Sequence, residues 1–219
     1  MRNYPLLLQG FATDVAHDVA HIRRVVSTAK RLCEQEGAHS DIVEAASWLH
    51  DCVNLPKDHP ERHLASRMSA DKAMQLLEGQ GFSLEQKRAI HHAIHAHSFS
   101  ANVEAKTLEA CIVQDADRLD ALGAIGLART FMVGGQLQRA LYALNDPFCQ
   151  ERLPDDKRYG LDHFYTKLLL LEESFKTEAG RQEAKKRTAY MKEYLEELRR
   201  EIGEPLDDTD EQDTSSVSA

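Results

Sequence analysis

The sequence predicts an all-α fold, and three observations lead there. Apolar residues recur at helical spacing in every strongly patterned segment, and no segment alternates apolar with polar residues as a half-buried strand would. The 219 residues include only 6 Pro and 11 Gly, too few for the many turns of an all-β design. Several segments open on helix-capping residues, among them Ser83 followed three positions later by Gln86.

Residues 5–11 are a short apolar opener, expected to lie as a helix across the body. Asp18 is expected to cap a helix running to Glu36, with Val19, Ile22, Val26, Ala29 and Cys33 as its apolar stripe and Gly37 as its stop. Asp41 with Glu44 resembles a capping box, opening a helix through about Asp51 whose inward face is Ile42, Ala46 and Leu49. Residues 54–63, with two prolines and several charges, form a loop directly after His50-Asp51. Helices follow over 64–77, ending at Gly79-Gln80-Gly81, and from Ser83 to about His97.

The segment 107–131 is apolar on more than one face. Leu108, Ile112, Leu119 and Leu122 line one side, while Ala110, Val113, Ala121 and Ala124 line another. A helix of this kind is expected to be the central, buried one, broken at Gly134-Gly135. Residues 145–160 are a long Pro- and charge-rich loop. Residues 161–176 and 181–202 then read as two amphipathic helices, antiparallel across Gly180. A single domain over 1–203 is expected, with a metal-site core near 18–131 and C-terminal helices near 161–202. Residues 204–219 hold six acids and no Lys or Arg, and their scarcity of apolar residues predicts disorder.

Charge and cysteine usage exclude several functions. The tail accounts for six of the negative charges in the net −9, which leaves −3 on the body. A slightly acidic body does not suit duplex nucleic acid, which requires Lys and Arg to neutralise phosphates. Small phosphorylated metabolites remain suitable, because a metal ion and a few local cations suffice to hold them. The four cysteines (Cys33, Cys52, Cys111, Cys149) form no C-x-x-C pair, so neither a zinc ribbon nor a disulfide scaffold is indicated. No apolar run approaches the ~20 residues of a membrane span, and a cytoplasmic setting is the expectation.

The chemistry-bearing residues fall in three places: His21, the adjacent His50-Asp51, and an acidic segment carrying Asp115, Asp117 and Asp120. Two imidazoles and two carboxylates can neutralise one divalent cation and leave positions open for water and substrate. On a helical wheel Asp115 falls among Leu108, Ile112 and Leu119, whereas Asp117 falls among small residues that leave room for an ion. Asp117 is therefore the choice, with a pairing to Arg24 or Arg118 as its plainer alternative. Of four histidines on one helix, His97 faces inward, and it either reaches the site or is a hydrogen-bonded core residue. His91, His92 and His95 read as solvated.

The order His21, His50-Asp51, Asp117 resembles the HD-domain superfamily of metal-dependent phosphohydrolases. The local contexts His-Ile-Arg-Arg-Val at 21–25, Ala-Ser-Trp-Leu before His50 and Asp-Ala-Asp-Arg-Leu-Asp at 115–120 carry the resemblance. So do Asn54-Leu55-Pro56-Lys57, His97-Ser98-Phe99-Ser100, Ala121-Leu122-Gly123-Ala124-Ile125-Gly126 and His163-Phe164-Tyr165-Thr166-Lys167-Leu168, which are similar to the small stand-alone bacterial HD hydrolases. The resemblance spans about 18–198.

It implies an HD-domain-like helical bundle with His21, His50, Asp51 and Asp117 as ligands to a divalent metal (Mn, Fe, Co, Ni, Zn or Mg). It also implies hydrolysis of a small phosphate ester, nucleotides among them, through a metal-bound water with Asp51 as the catalytic carboxylate. Lys57, His97, Arg118 and Lys167 are the implied substrate or phosphate contacts, with Arg118 alternatively orienting a carboxylate. Nucleotidase-like members carry a Glu three residues after the HD aspartate, where this chain has Asn54, which argues against that branch. No His-His-Glu with a following Gly-Tyr-Pro is present, so the cyclic-dinucleotide phosphodiesterase branch does not fit. The rival reading is a non-catalytic module that binds a nucleotide as a signal around a structural metal.

Overall fold

A computed structural model of the chain describes residues 4–7, 19–53, 55 and 59–203. Asp18, Asn54, Lys57, residues 8–11 of the apolar opener and the acidic tail lie outside the described residues.

Among the described residues the regular structure is helical, apart from an isolated bridge between Ala140 and Tyr159. Helix α1 (Tyr4–Leu7) lays Tyr4 against Trp48, with ring centroids 6.5 Å apart. Helix α2 (Val19–Glu36) buries Ile22, Val25, Val26, Ala29, Leu32 and Cys33. Its first residue, Val19, is exposed rather than part of the stripe. Helix α3 (Ser40–Leu49) starts from His39, which makes no side-chain cap; Glu109 instead accepts the His39 N–H. The Asp41-Glu44 box is thus replaced by a cap from another element.

Helices α4 (Ala65–Leu76) and α5 (Leu84–His97) follow, and the Ser83–Gln86 capping box forms with both reciprocal bonds. Helix α5 packs on α4 and α6, and α2 packs on α3 and α6, so α2, α3, α5 and α6 surround the core below the site.

The segment expected as one central helix is two. Helix α6 (Leu108–Leu119) ends in a turn at Asp120, and α7 (Gly123–Gln136) departs in a new direction. Gly123 makes the corner at φ +71, a conformation that costs a residue with a side chain more than it costs glycine. Two short helices with differently turned apolar faces, read in tandem, look like one helix apolar all round. The Gly134-Gly135 stop is passed by one residue.

The next expected helix is also broken. Asp162 opens α8 (Asp162–Thr166) from a fully buried position, where Arg152 and the Asp155 N–H bond to its carboxylate. At Lys167 the backbone leaves helical geometry, and 168–174 winds as a 3-10 helix. Four leucines in a row (Leu168 to Leu171) form no single apolar stripe, so nothing selects a continuous α-helix there.

Helix α9 (Glu178–Ile202) begins before Gly180, so Gly180 is a first-turn residue and not a hinge between antiparallel helices. Asp115, fully buried, explains why. It accepts the Lys176 and Thr177 N–H groups and the Thr177 hydroxyl, tying α6 to the start of α9. A Cβ on Gly180 would collide with the Asp115 carboxylate and lie 2.7 Å from the Thr177 hydroxyl. Gly180→Ala is therefore expected to destabilise the fold by about 2–3 kcal/mol through overpacking. Thermal denaturation checks this; an unchanged Tm would show that Asp115 gives way freely.

Candidate metal centre

The site forms where the ends of α3, α5 and α6 converge on the first turn of α2. His21 sits in the first turn of α2 and is buried against α6. His50 caps the C-terminus of α3, and Asp51 follows in the turn, so two adjacent residues point off a helix end toward one spot. Asp117 lies in the last turn of α6.

Ligating atoms of His21, His50 and Asp51 lie within 4.8 Å of one another. The His21 Nε2 is 3.4 Å from an Asp117 carboxylate oxygen and 3.8 Å from one of Asp51. The His50 Nε2 is 3.6 Å from Asp51 and 3.8 Å from Asp117. The structure thus brings these four sequence-predicted residues together.

The donor chemistry fits a divalent cation. His21 Nδ1 donates to Asp120 at 2.7 Å, and His50 Nδ1 donates to the Ser47 carbonyl at 2.8 Å. Once His21 has given up its second proton, both Nε2 atoms are left as acceptors, 3.4 Å from each other, facing two carboxylates. Acceptors gathered in this way need a positive charge among them, and two anionic oxygens match a divalent one.

Protonation follows the same demand. Burial would lower the His21 pKa, but bonds to Asp117 and Asp120 raise it to about 9. Burial pushes His50 the other way, below its ordinary value, so it stays neutral and able to ligate. Burial opposes ionisation of Asp117, yet the His21 bond and the surrounding imidazoles hold its carboxyl below the usual range. A cation entering this site displaces a proton.

Behind the donors lies a charge clamp that the sequence reading did not assign. Asp120, 3% exposed, receives His21 Nδ1, Arg24 Nε at 2.7 Å, Arg24 Nη2 at 3.0 Å, and Arg129 Nη1. Burial opposes its ionisation, but the His21 and Arg24 bonds hold its pKa at about 2. Arg24 therefore serves Asp120 and not Asp117. The readable signal was a matched spacing: His21-x-x-Arg24 on one helix faces Asp117-x-x-Asp120 on the other.

His97 is buried at the site. Its Nδ1 donates to the Ile94 carbonyl, and its Nε2 lies 3.5 Å from Asp51. Burial would lower its pKa, but the Asp51 and Asp117 carboxylates raise it. His91 instead pairs with Asp71, and His92 accepts the Lys106 N–H, both away from the donors.

A cleft of about 280 Å³ opens over Asp51, His97 and Asp117. Lys167, projecting from the break after α8, lines it, as does Arg62, which opens the short 3-10 turn Arg62–Leu64 at the end of the 54–63 segment. Arg62 was missed because a lone arginine in a charged loop has no distinguishing pattern. Arg118 turns away from this cleft to donate to the Ser174 carbonyl, because its place on α6 faces the 168–174 segment. His163 pairs with Asp156 and lines a neighbouring basic cleft with Arg129 and Arg139.

A family model for the HD domain matches residues 18–122. The Bacillus subtilis protein YpgQ is 31% identical over 201 residues, covering 89% of this chain and 90% of its own. The chain belongs to the HD-domain family.

Solved structures share this fold over about nine tenths of the chain. The crystal structure of Bacillus subtilis YpgQ in complex with ADP superposes with a TM-score of 0.71 at 31% identity, covering 91% of this chain and 98% of that one. An HD-superfamily hydrolase from Bacillus thuringiensis is 36% identical, with a TM-score of 0.69 over 90% of this chain and 92% of its own. No helix among the described residues is long and apolar enough to cross a membrane.

Proposed function

We propose that this HD protein is a divalent-metal-dependent phosphohydrolase acting on a small phosphate ester, with nucleotides as the leading class. The observation that carries the reading is the pair of inward-facing Nε2 atoms set against two carboxylates on the floor of a cleft whose wall is cationic. The similarity to an HD-superfamily hydrolase supports hydrolysis, and the ADP complex of YpgQ supports a nucleotide.

His21, His50, Asp51 and Asp117 would hold the ion. When bound, it supplies Lewis acidity toward a phosphoryl oxygen and lowers the pKa of water at the site. Asp51 takes the proton of the attacking water. His97 beside it hands a proton to the leaving oxygen. Lys167 and Arg62 neutralise the non-bridging oxygens. The Asp120 clamp keeps the His21 ring in the tautomer that exposes Nε2.

The test is turnover of phosphomonoesters, nucleotides and cyclic phosphodiesters after chelation and after return of Mn, Co, Ni, Zn or Mg. Activity should vanish with the chelator and return with at least one ion. Lys167→Ala should raise KM about tenfold, the loss of one charged contact, and leave kcat nearly unchanged. Turnover indifferent to chelation sinks the reading. Nucleotide binding without turnover of any ester assigns the chain to the signal-binding alternative.

A further inference from the structure

A second, larger cleft of about 680 Å³ adjoins the metal cleft, and Ser98, Phe99 and Ser100 form the wall common to both. We propose that it holds a planar heteroaromatic group, the base of a nucleotide, stacked on Phe99 and hydrogen-bonded by Gln114 and Arg118. The location of the phosphate rests on the phosphohydrolase reading; the chemistry of this cleft does not.

Three features carry the assignment. Gln114 is only 4% exposed; its amide nitrogen donates to the Ala96 carbonyl at 2.7 Å, yet its Oε1 is buried with no partner among the described residues. Arg118 donates Nη1 to Ser174, while its buried Nε–H has no partner either. Buried polar atoms are ordinarily satisfied, so two orphans on residues that line one cleft, each just behind its wall, call for a ligand that reaches them. The third is Phe99, which leaves 79% of its surface exposed at the mouth of the same cleft and offers a π-face there.

The pattern of the orphans selects the ligand. Gln114 and Arg118 lie four apart on α6 and so share a face, presenting one acceptor beside one donor. That pair complements the hydrogen-bonding edge of a heterocycle, which carries a donor next to an acceptor. An inorganic anion would suit Arg118 but would be repelled by the Gln114 oxygen. An alkyl chain would leave both orphans unsatisfied. Asp117 lies on the same helix between the two, so one element carries both a metal-site carboxylate and the contacts to the base. A nucleotide would span the two clefts with its base beyond Phe99 and its phosphate over Asp117.

The test compares a probe that has a base with one that lacks it. Calorimetric Kd values for ADP and for inorganic pyrophosphate would be measured on the metal-loaded wild type, Phe99→Ala and Phe99→Tyr. Phe99 is exposed, so neither substitution disturbs the core. ADP binding should weaken about tenfold in Phe99→Ala, the scale of one lost stacking contact, and recover in Phe99→Tyr. Pyrophosphate binding should be unchanged in both. Equal losses for the two probes, no loss for ADP, or no ADP binding by the wild type would each overturn the assignment. If ADP binds as described but no phosphate ester is ever hydrolysed, the phosphohydrolase reading fails and the base cleft stands.

Discussion

Asp51→Asn is expected to abolish turnover and to strip most of the bound metal while leaving the helices intact. The substitution keeps the side chain's shape and removes one of two charges that face the His21 and His50 Nε2 atoms at 3.6–3.8 Å. It also puts an amide beside the His97 Nε2, where Asp51 now offers an acceptor at 3.5 Å. Changes behind a metal ligand commonly cost 10–100-fold in affinity or activity. Loss of a ligating charge should exceed about 100-fold. Metal analysis, circular dichroism and kcat/KM on the same preparation separate the possibilities. Full metal content with full activity would remove Asp51 from the site; lost helicity would make the result one of folding.

Asp120→Ala is expected to act on both stability and metal affinity. The carboxylate is buried and holds together His21, Arg24 and Arg129. Its removal takes away a charged acceptor that two guanidinium groups and a ring N–H share. Breaking a buried pair from one side costs about 3–5 kcal/mol. The expected loss is nearer ~3 kcal/mol, because the Arg24 side chain is 35% exposed and can recover hydration. The His21 ring is then free to turn, and metal affinity should drop 10- to 100-fold, roughly the effect of losing a partner behind a ligand. Asp120→Asn retains an acceptor for His21 and should recover part of the metal affinity with little of the stability. A metal affinity unchanged in Asp120→Ala would reduce Asp120 to a purely structural ion-pair partner.

Much of this molecule is written in short-range pattern. The Ser83–Gln86 box, the stop at Gly37 and the stripe of α2 depend on residues within a few positions of each other, so the helices they delimit are legible directly. The choice of Asp117 over Asp115 also rested on local information, since small neighbours leave room on that face of α6. Asp115 proved to be buried against α9, sixty residues away in sequence, where it fixes Lys176 and Thr177.

The misread places share a cause. The corner at Gly123, the break at Lys167 and the first turn of α9 at Gly180 are each set by what the segment packs against. Apolar periodicity cannot distinguish one buried helix from two buried in different directions. Arg118 was credited to the metal cleft because it adjoins Asp117 in sequence, but neighbours on a helix point roughly 100° apart, and it faces Ser174.

By itself the sequence determined that the chain is helical, where most helices start and stop, and which imidazoles and carboxylates are available to gather around one cation. The tertiary structure alone decided that Asp120, not Asp117, takes Arg24, that Arg62 and Lys167 share a cleft wall, and that Gln114 and Arg118 open onto a second cleft. The division has a physical basis. Caps and stripes are contacts between residues three or four apart. The His21–Asp120 bond instead joins residues 99 apart, and it depends on how far α2 and α6 are rotated about their own axes when they pack.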